Sequence, residues 1–135
     1  DAAFVPSLSL VAVVQEAIVG HILFTKCQIV GASVSDESLA LAPMAVLPSR
    51  QQQGLGSQLV QAGLAAAKRA GYDSVIVLGH PTYYPRFGFE PASRWQIKCP
   101  FEVPAEAFMA IELIEGSLEL KAGTVVYAPP FSVVT

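Results

Sequence analysis

The feature that most constrains the fold is a change of hydrophobic period between residues 38 and 78. Residues 38–47 have strand-like composition, residues 54–70 repeat apolar or small side chains every three or four positions, and residues 75–78 read Val-Ile-Val-Leu. A helical period between two strands, the second apolar throughout, is typical of a right-handed βαβ unit with parallel strands. The sequence therefore predicts a strand, an amphipathic helix and a strand that is buried on both faces.

The predicted helix over residues 54–70 has clear signals at its C-terminus. Lys68 and Arg69 fall in the last turn, where cations interact favourably with the helix dipole, and Gly71 suits the left-handed residue that follows a helix. Small and apolar side chains at helical spacing predict a core face made of Leu55, Leu59, Ala62, Gly63, Ala66 and Ala70.

The segments on both sides of this unit predict further strands. Residues 7–30 form a hairpin with a polar break at 15–17, and residues 31–36 resemble a turn. Pro43 lies within the strand over 38–47, where it predicts a bulge or separation from a neighbouring strand, because proline has no N–H to donate. Shorter strands are expected within residues 96–100, 108–114 and 124–127. This order predicts the α+β class, a mixed α/β sheet in a single domain over residues 1–135.

Composition argues against several classes of protein. The chain has 135 residues, of which 53% are hydrophobic and 14% charged, so a folded core is expected rather than intrinsic disorder. The formal net charge of −3, without any basic run, argues against a nucleic-acid partner. No apolar stretch reaches the roughly 18 residues that a membrane span needs. Cys27 and Cys99 lack the spacing of metal ligands, so reduced thiols, a cytoplasmic location and no metal site are expected.

A polar loop with paired glycines precedes the predicted helix. It ends in Gln51-Gln52-Gln53-Gly54-Leu55-Gly56-Ser57. Glycine allows close approach to backbone N–H groups at the positive end of a helix, which favours a phosphate or pyrophosphate. A Walker loop is excluded because Gln58 follows Ser57 where a lysine and hydroxyl pair is needed, and a dinucleotide fingerprint is excluded because Leu59 stands at a small-residue position.

Two motifs resemble those of the GNAT superfamily of acetyl-CoA-dependent N-acetyltransferases. Residues 51–56 are similar to its Gln/Arg-x-x-Gly-x-Gly/Ala pyrophosphate loop, and Tyr84-Pro85-Arg86-Phe87-Gly88-Phe89 is similar to its Tyr-x-x-x-Gly-Phe segment. The resemblance covers residues 7–127. It implies a GNAT-like acyl-CoA N-acyltransferase fold with a central bulged strand, one βαβ crossover and a C-terminal β region. Family members begin with a strand and two helices, which this sequence is expected to lack.

The resemblance implies transfer of acetyl from acetyl-CoA to a primary amine of a small molecule or peptide, by direct attack in a ternary complex. It implies that Tyr84 protonates the leaving thiolate, with Tyr83 as the core residue of the pair. Glu37 is the candidate base, and His80 is an open alternative. The residues expected at acetyl-CoA are Met44, Ala45, Val46, Arg50, Gln51, Gln52, Gln53, Gly54, Leu55, Gly56, Ser57 and Tyr84.

Two other interpretations stay open. A non-catalytic acyl-CoA-binding or regulatory module would share the fold and lack the chemistry. A homodimer is suggested by the apolar C-terminal segment 124–134, because an exposed apolar edge strand favours pairing. Trp95, Phe101 and Phe108 are candidates for the wall of an acceptor pocket, although aromatic residues in such positions usually belong to the core.

Overall fold

A computed structural model describes residues 4–14, 17–41, 45–46 and 55–127. Within these ranges the chain forms one α-helix, α1 (Leu55–Arg69), and nine strands of a single mixed sheet. The strands are β1 (Phe4–Val14), β2 (Ala17–Val30), β3 (Ser35–Leu41), β4 (Ala45–Val46), β5 (Ser74–Leu78), β6 (Glu90–Pro91), β7 (Ile97–Lys98), β8 (Phe108–Glu112) and β9 (Gly123–Tyr127). Three short 3₁₀ helices cover Tyr84–Phe87, Ala92–Trp95 and Ala105–Ala107. The predicted α+β class is confirmed.

The long strand β2 organises the sheet by carrying two partners along each edge. On one edge it pairs antiparallel with β3 and then with β4. On the other edge it pairs with β1 as far as Thr25 and with β9 from Cys27 to Val30. The main strand order is β6-β8-β5-β3-β2-β9-β7. With 14 residues, β2 extends over about 46 Å, which is long enough for this sharing.

The sheet opens between β3 and β5, which are parallel. Their ladder has two pairs, Leu39 with Val75 and Ala40 with Ile76. Beyond it, β4 pairs with β2, and no described pairing joins β4 to β5. The segment β3–β4 and the strand β5 therefore diverge towards their C-terminal ends. The proline between β3 and β4 in the sequence predicts this separation. Pro43 itself lies outside the described residues.

Helix α1 ends as the sequence predicts. Gly71 has a φ of +96°, and its N–H donates to the carbonyl of Lys68 at 3.1 Å. The N–H of Tyr72 donates to the carbonyl of Ala67, also at 3.1 Å. These two bonds form a Schellman motif, which requires a left-handed residue and so explains the glycine.

The buried face of α1 differs from the predicted one. Val60 and Ala67 are buried together with Leu59, whereas Ala62 and Ala70, expected in the core, are exposed. The ring of Phe24 packs on Gly63, where a Cβ would lie 2.5 Å from a ring carbon. Alanine residues lie on several sides of α1, so apolar character alone does not identify its buried face. The face that contains Gly63 is buried because it leaves space for the ring of Phe24.

Two hydrophobic clusters cover opposite faces of the sheet, since alternate residues of β3 and β5 belong to different clusters. The first holds Leu39 and Val75 with the buried face of α1 and with Tyr84. The second holds Ala40 and Ile76 with, among others, Trp95 and Phe108. These two aromatic residues are therefore core residues, while Phe101 is exposed and stacks on Tyr127 at 5.9 Å.

Several boundaries differ from the prediction. β3 begins at Ser35, inside the segment expected to be a turn, because residues 35 and 36 pair with Val30 and Ile29 of β2. β6 was not predicted, and β7 has two residues instead of five. None of the helices in the described ranges is long and apolar enough to cross a bilayer.

Candidate active site

One edge of β5 faces the opening between β4 and β5. Val77 and Leu78 of β5 pair with Met109 and Phe108 of β8 on one edge, and no described strand pairs with them on the other. Backbone donors and acceptors on such an edge can bind the amide groups of an extended ligand. Helix α1 packs against β4, one of the two strands that border the opening.

The start of α1 has the electrostatics of an anion site. Gly56 and Ser57 in its first turn are half-buried, and this turn has no acidic residue. Lys68 and Arg69 occupy the last turn. Because the first turn carries no carboxylate and its N–H groups have no partner within the helix, the positive end of the helix dipole favours an anionic ligand.

Only part of the predicted acetyl-CoA site lies within the described residues. Ala45 and Val46 form β4, and Leu55, Gly56 and Ser57 begin α1. The other predicted residues lie outside the described ranges; they are Met44, Arg50, Gln51, Gln52, Gln53 and Gly54. The described part of the predicted site therefore lies on two elements that contact each other, β4 and α1.

Tyr84 begins the 3₁₀ helix that follows β5. Its N–H and that of Tyr83 donate to the carbonyl of His80, at 3.4 and 3.2 Å. Gly88, with a φ of +105°, closes the helix. Tyr84 is 9% exposed, whereas Tyr83 is only half-buried, so the prediction that Tyr83 would be the core residue of the pair is wrong. The turn at His80 directs Tyr84 into the cluster shared with α1.

Aromatic rings surround the ring of Tyr84. Tyr83 lies 5.1 Å away and Phe89 lies 5.7 Å away, both edge-on, and Phe87 lies at 6.5 Å. Burial, and to a smaller degree the neighbouring Tyr83, raises the pKa of the Tyr84 phenol above its ordinary value. The phenol therefore stays protonated at neutral pH, as a proton donor must.

Gly79, which was not among the predicted residues, lies against Tyr84. It follows β5, and its N–H donates to the carbonyl of Ala107 at 2.9 Å. A side chain at this position would overlap the ring of Tyr84. A glycine between a buried strand and a pair of tyrosines was the sequence signal that could have identified it.

Glu37 lies apart from the opening. It is exposed, it pairs across the sheet with Gln28, and it comes three residues before Ala40, about 10 Å along the strand. This position is towards the N-terminal end of β3, whereas Tyr84 follows the C-terminal end of the parallel strand β5. The structure therefore does not bring Glu37 and Tyr84 together. His80, the alternative base, is exposed in the turn after β5.

The cysteines are free thiols. Cys27 is buried and Cys99 is half-buried. Burial, and to a smaller degree Glu37, raises the pKa of Cys27 to about 12. Within the described part of the chain, no group of three His, Cys, Asp or Glu side chains is arranged to hold a metal ion.

The family follows from a comparison with known domains. The family model for the acetyltransferase (GNAT) domain matches residues 6–91, which include the opened strands, α1 and Tyr84. The chain belongs to the GNAT acetyltransferase family. The predicted family is thus confirmed, and so is the GNAT-like fold.

Bacterial GNAT proteins are similar to this chain in sequence and in fold. The chain is 43% identical over 102 residues to YjhQ, an uncharacterised N-acetyltransferase of Escherichia coli, covering 75% of this chain and 56% of YjhQ. The structure of the GNAT protein YhbS from Escherichia coli in complex with CoA matches with a TM-score of 0.84 at 32% identity, covering 92% of this chain and 68% of that one. A GNAT acetyltransferase from Brucella melitensis in complex with acetyl-CoA gives a TM-score of 0.70 at 31% identity, covering 91% and 67%. This GNAT chain therefore spans little more than half of YjhQ.

Proposed function

We propose that this GNAT domain transfers the acetyl group of acetyl-CoA to a primary amine of a small molecule or peptide. The observation that carries the proposal is the divergence of β4 and β5, with α1 packed against β4 and with Tyr84 in the 3₁₀ helix that follows β5. The relatives YhbS and the Brucella melitensis GNAT protein, with CoA and acetyl-CoA bound, support it. When bound, acetyl-CoA supplies the activated thioester.

The described residues fit such a ligand. The strand edges of Ala45, Val46, Val77 and Leu78 offer backbone groups to the amides of a pantetheine arm. The start of α1 offers its N–H groups to a diphosphate. Contacts from the glycine loop, at Met44, Arg50, Gln51, Gln52, Gln53 and Gly54, stay a prediction.

Tyr84 is proposed as the proton donor in the transfer. The amine nitrogen bonds to the acetyl carbon, the carbon–sulfur bond breaks, and the phenol gives its proton to the sulfur that leaves. The raised pKa of Tyr84 keeps that proton available at neutral pH. Direct attack by the amine is favoured over an acyl-enzyme at Cys27, because a buried thiol with a pKa of about 12 is a poor nucleophile.

The proton lost by the amine needs an acceptor. Glu37 stays the predicted base and, since it lies apart from the opening, would act through water; His80, which lies in the turn that leads into Tyr84, is the alternative. Comparison of Glu37→Gln with His80→Ala separates them, because removal of the base should lower kcat by about a hundredfold and leave CoA binding intact.

Tyr84→Phe tests the proposed function. We expect kcat to fall by about a hundredfold with an amine found by thiol-release screening, because the variant keeps the ring and loses the proton donor. The Kd for CoA, measured by calorimetry, should stay within about threefold. Tyr83→Phe is the matched control and should retain the activity. Unchanged turnover in Tyr84→Phe would remove Tyr84 from the mechanism, and CoA binding without turnover of any amine would favour the non-catalytic module.

We also propose that the protein acts in the cytoplasm, without a nucleic-acid partner, and as a homodimer. The free thiols of Cys27 and Cys99 support the first point, and the formal net charge of −3 without a basic run supports the second. The half-exposed side chain of Val126, within the apolar segment 124–134, supports the third, although the expectation of an edge strand was wrong because β9 pairs with both β2 and β7. Light scattering during gel filtration tests the homodimer, and a monomer at high concentration would contradict it.

A further inference from the structure

The backbone at Gly79 is held in place by the segment that leads into β8. Its N–H donates to the carbonyl of Ala107 at 2.9 Å, and the preceding residue, Leu78, pairs with Phe108 of β8. The chain at this point therefore cannot withdraw from its neighbours without breaking the end of the β5–β8 ladder.

The ring of Tyr84 occupies the space where a side chain at residue 79 would begin. A Cβ there would overlap Cε2 of Tyr84 and would lie 2.9 Å from Cδ2 and 3.4 Å from Cζ. Cε2 and Cζ are at the hydroxyl end of the ring. A side chain at residue 79 would thus press on the part of Tyr84 that carries the phenol oxygen.

Backbone conformation does not explain this glycine. Gly71, Gly88 and Gly116 have φ values from +82° to +105°, in the region that favours glycine, and Gly79 is not among the residues with a positive φ. The backbone of residue 79 therefore does not use the left-handed region that favours glycine. Space for the ring is the remaining reason.

The ring has little freedom to move away. Tyr83 and Phe89 contact it edge-on at 5.1 and 5.7 Å, and Phe89 is 2% exposed. Because the packing leaves no empty space to take up an added methyl group, the overlap would be relieved by a small shift or tilt of the Tyr84 ring, at a cost in stability.

We infer that Gly79 is a positioning residue for the transfer: the space left by its missing side chain seats the Tyr84 ring and sets where the phenol hydroxyl lies. This inference rests on the proposed function for its catalytic part, because Tyr84 is the proposed proton donor. Gly79 itself touches neither reacting group.

The first test is a double-mutant cycle with Gly79→Ala and Tyr84→Phe. Gly79→Ala should lower kcat by roughly 10- to 100-fold, because a displacement of about 1 Å is costly in catalysis, and should leave the Kd for CoA within about threefold. In the Tyr84→Phe background the same substitution should change kcat by less than about twofold, because no hydroxyl remains to be positioned. The Tm should fall in both backgrounds, since phenylalanine keeps the overlapping ring atoms.

A matched control separates positioning from general destabilisation. Gly63→Ala places a Cβ against the ring of Phe24, in the same hydrophobic cluster and with similar overlap. It should lower the Tm and keep kcat within about threefold. An equal loss of kcat from Gly79→Ala in both Tyr84 backgrounds, or from Gly63→Ala and Gly79→Ala, would overturn the positioning role.

The second test does not need activity. In protein labelled with ¹³C at tyrosine Cζ, the resonance of Tyr84 is identified by its absence in Tyr84→Phe. Gly79→Ala should shift this resonance and lower its titration midpoint, since a displaced ring loses burial, whereas Gly63→Ala should leave both unchanged. An unshifted Tyr84 resonance in Gly79→Ala would overturn the inference even if no acceptor amine is found. A shifted resonance with no turnover would instead contradict the proposed function alone.

Discussion

The hydroxyls of Ser38 and Ser74 form a buried hydrogen bond of 2.7 Å between β3 and β5. The two residues immediately precede the first ladder pair, Leu39 with Val75, and are 1% and 0% exposed. The hydrogen bond therefore joins the parallel strands at the closed end of the opening, two residues before they diverge.

Loss of one of these hydroxyls should cost more than loss of both. Ser38→Ala or Ser74→Ala leaves a buried hydroxyl without a partner, and each should lower the free energy of unfolding by about 1–3 kcal/mol. The double variant should lose clearly less than the sum, because no unpaired group remains. Urea denaturation measures all three.

An exposed hydroxyl provides the control for the serine pair. Ser35 donates to Oε1 of Gln28 at 2.9 Å in an exposed position of the same strand, and Ser35→Ala should change stability by less than about 0.5 kcal/mol. Additive losses at Ser38 and Ser74 would show that the bond does not couple the strands.

The activity should stay high until strongly alkaline pH. Burial, followed by the charge of Tyr83, raises the pKa of Tyr84 above 10, and a proton donor is active only while protonated. The rate kcat should therefore fall only above the ordinary tyrosine range, and the falling limb should be absent from Tyr84→Phe. Rates between pH 7 and 11, with circular dichroism as the check on folding, test this. A fall centred below pH 9, or the same limb in Tyr84→Phe, would contradict it.

The stability of the protein should decrease between about pH 9 and about pH 12. Cys27 has an ordinary pKa of 9.0 and a folded-state pKa of about 12, with burial as the main cause and Glu37 as the lesser one. Below pH 9 both states hold the proton and the contribution of Cys27 is constant. As the pH rises through this window, the unfolded chain releases the proton first, so unfolding becomes more favourable by up to about 1.4 kcal/mol per pH unit.

Cys27→Ala isolates this contribution. It should flatten the pH dependence of the free energy of unfolding between pH 9 and 12, in addition to any constant loss from the smaller side chain. Denaturation curves at several pH values measure the slope. An identical slope in the variant would show that Cys27 is not responsible.

The local elements were predictable because their signals lie within a few residues of each other. The span of α1 follows from its 3.6-residue period, and its end from Gly71, whose left-handed conformation completes two backbone hydrogen bonds. The buried strand β5 follows from the run of residues 75–78. The family followed from two motifs around these elements. The predicted buried face of α1 was partly wrong, because the alanines at positions 62, 66, 67 and 70 give neighbouring faces of the helix the same apolar character.

The candidate site was predictable only in part. The role of Tyr84 could be predicted from its motif. That Tyr84 is buried rather than Tyr83 depends on the turn at His80 and on the rings of Phe87 and Phe89, which pack near the Tyr84 ring. The distance of Glu37 from Tyr84 depends on how β3 pairs with its neighbouring strands, and the place of Glu37 in the sequence does not give that pairing.

The sequence alone determined the α+β class, the parallel crossover and membership of the GNAT family. These features follow from periodicity, helix capping and short motifs, which involve residues close together in the sequence. Only the tertiary structure decided where the sheet opens and which ring is seated against Gly79. Those features arise from contacts between segments distant in the sequence: β4 pairs with β2 instead of β5, and Ala107 and Phe108 fix the backbone beside Tyr84. The physical reason is that packing and strand pairing depend on which surfaces meet in space, and the local sequence does not specify those surfaces.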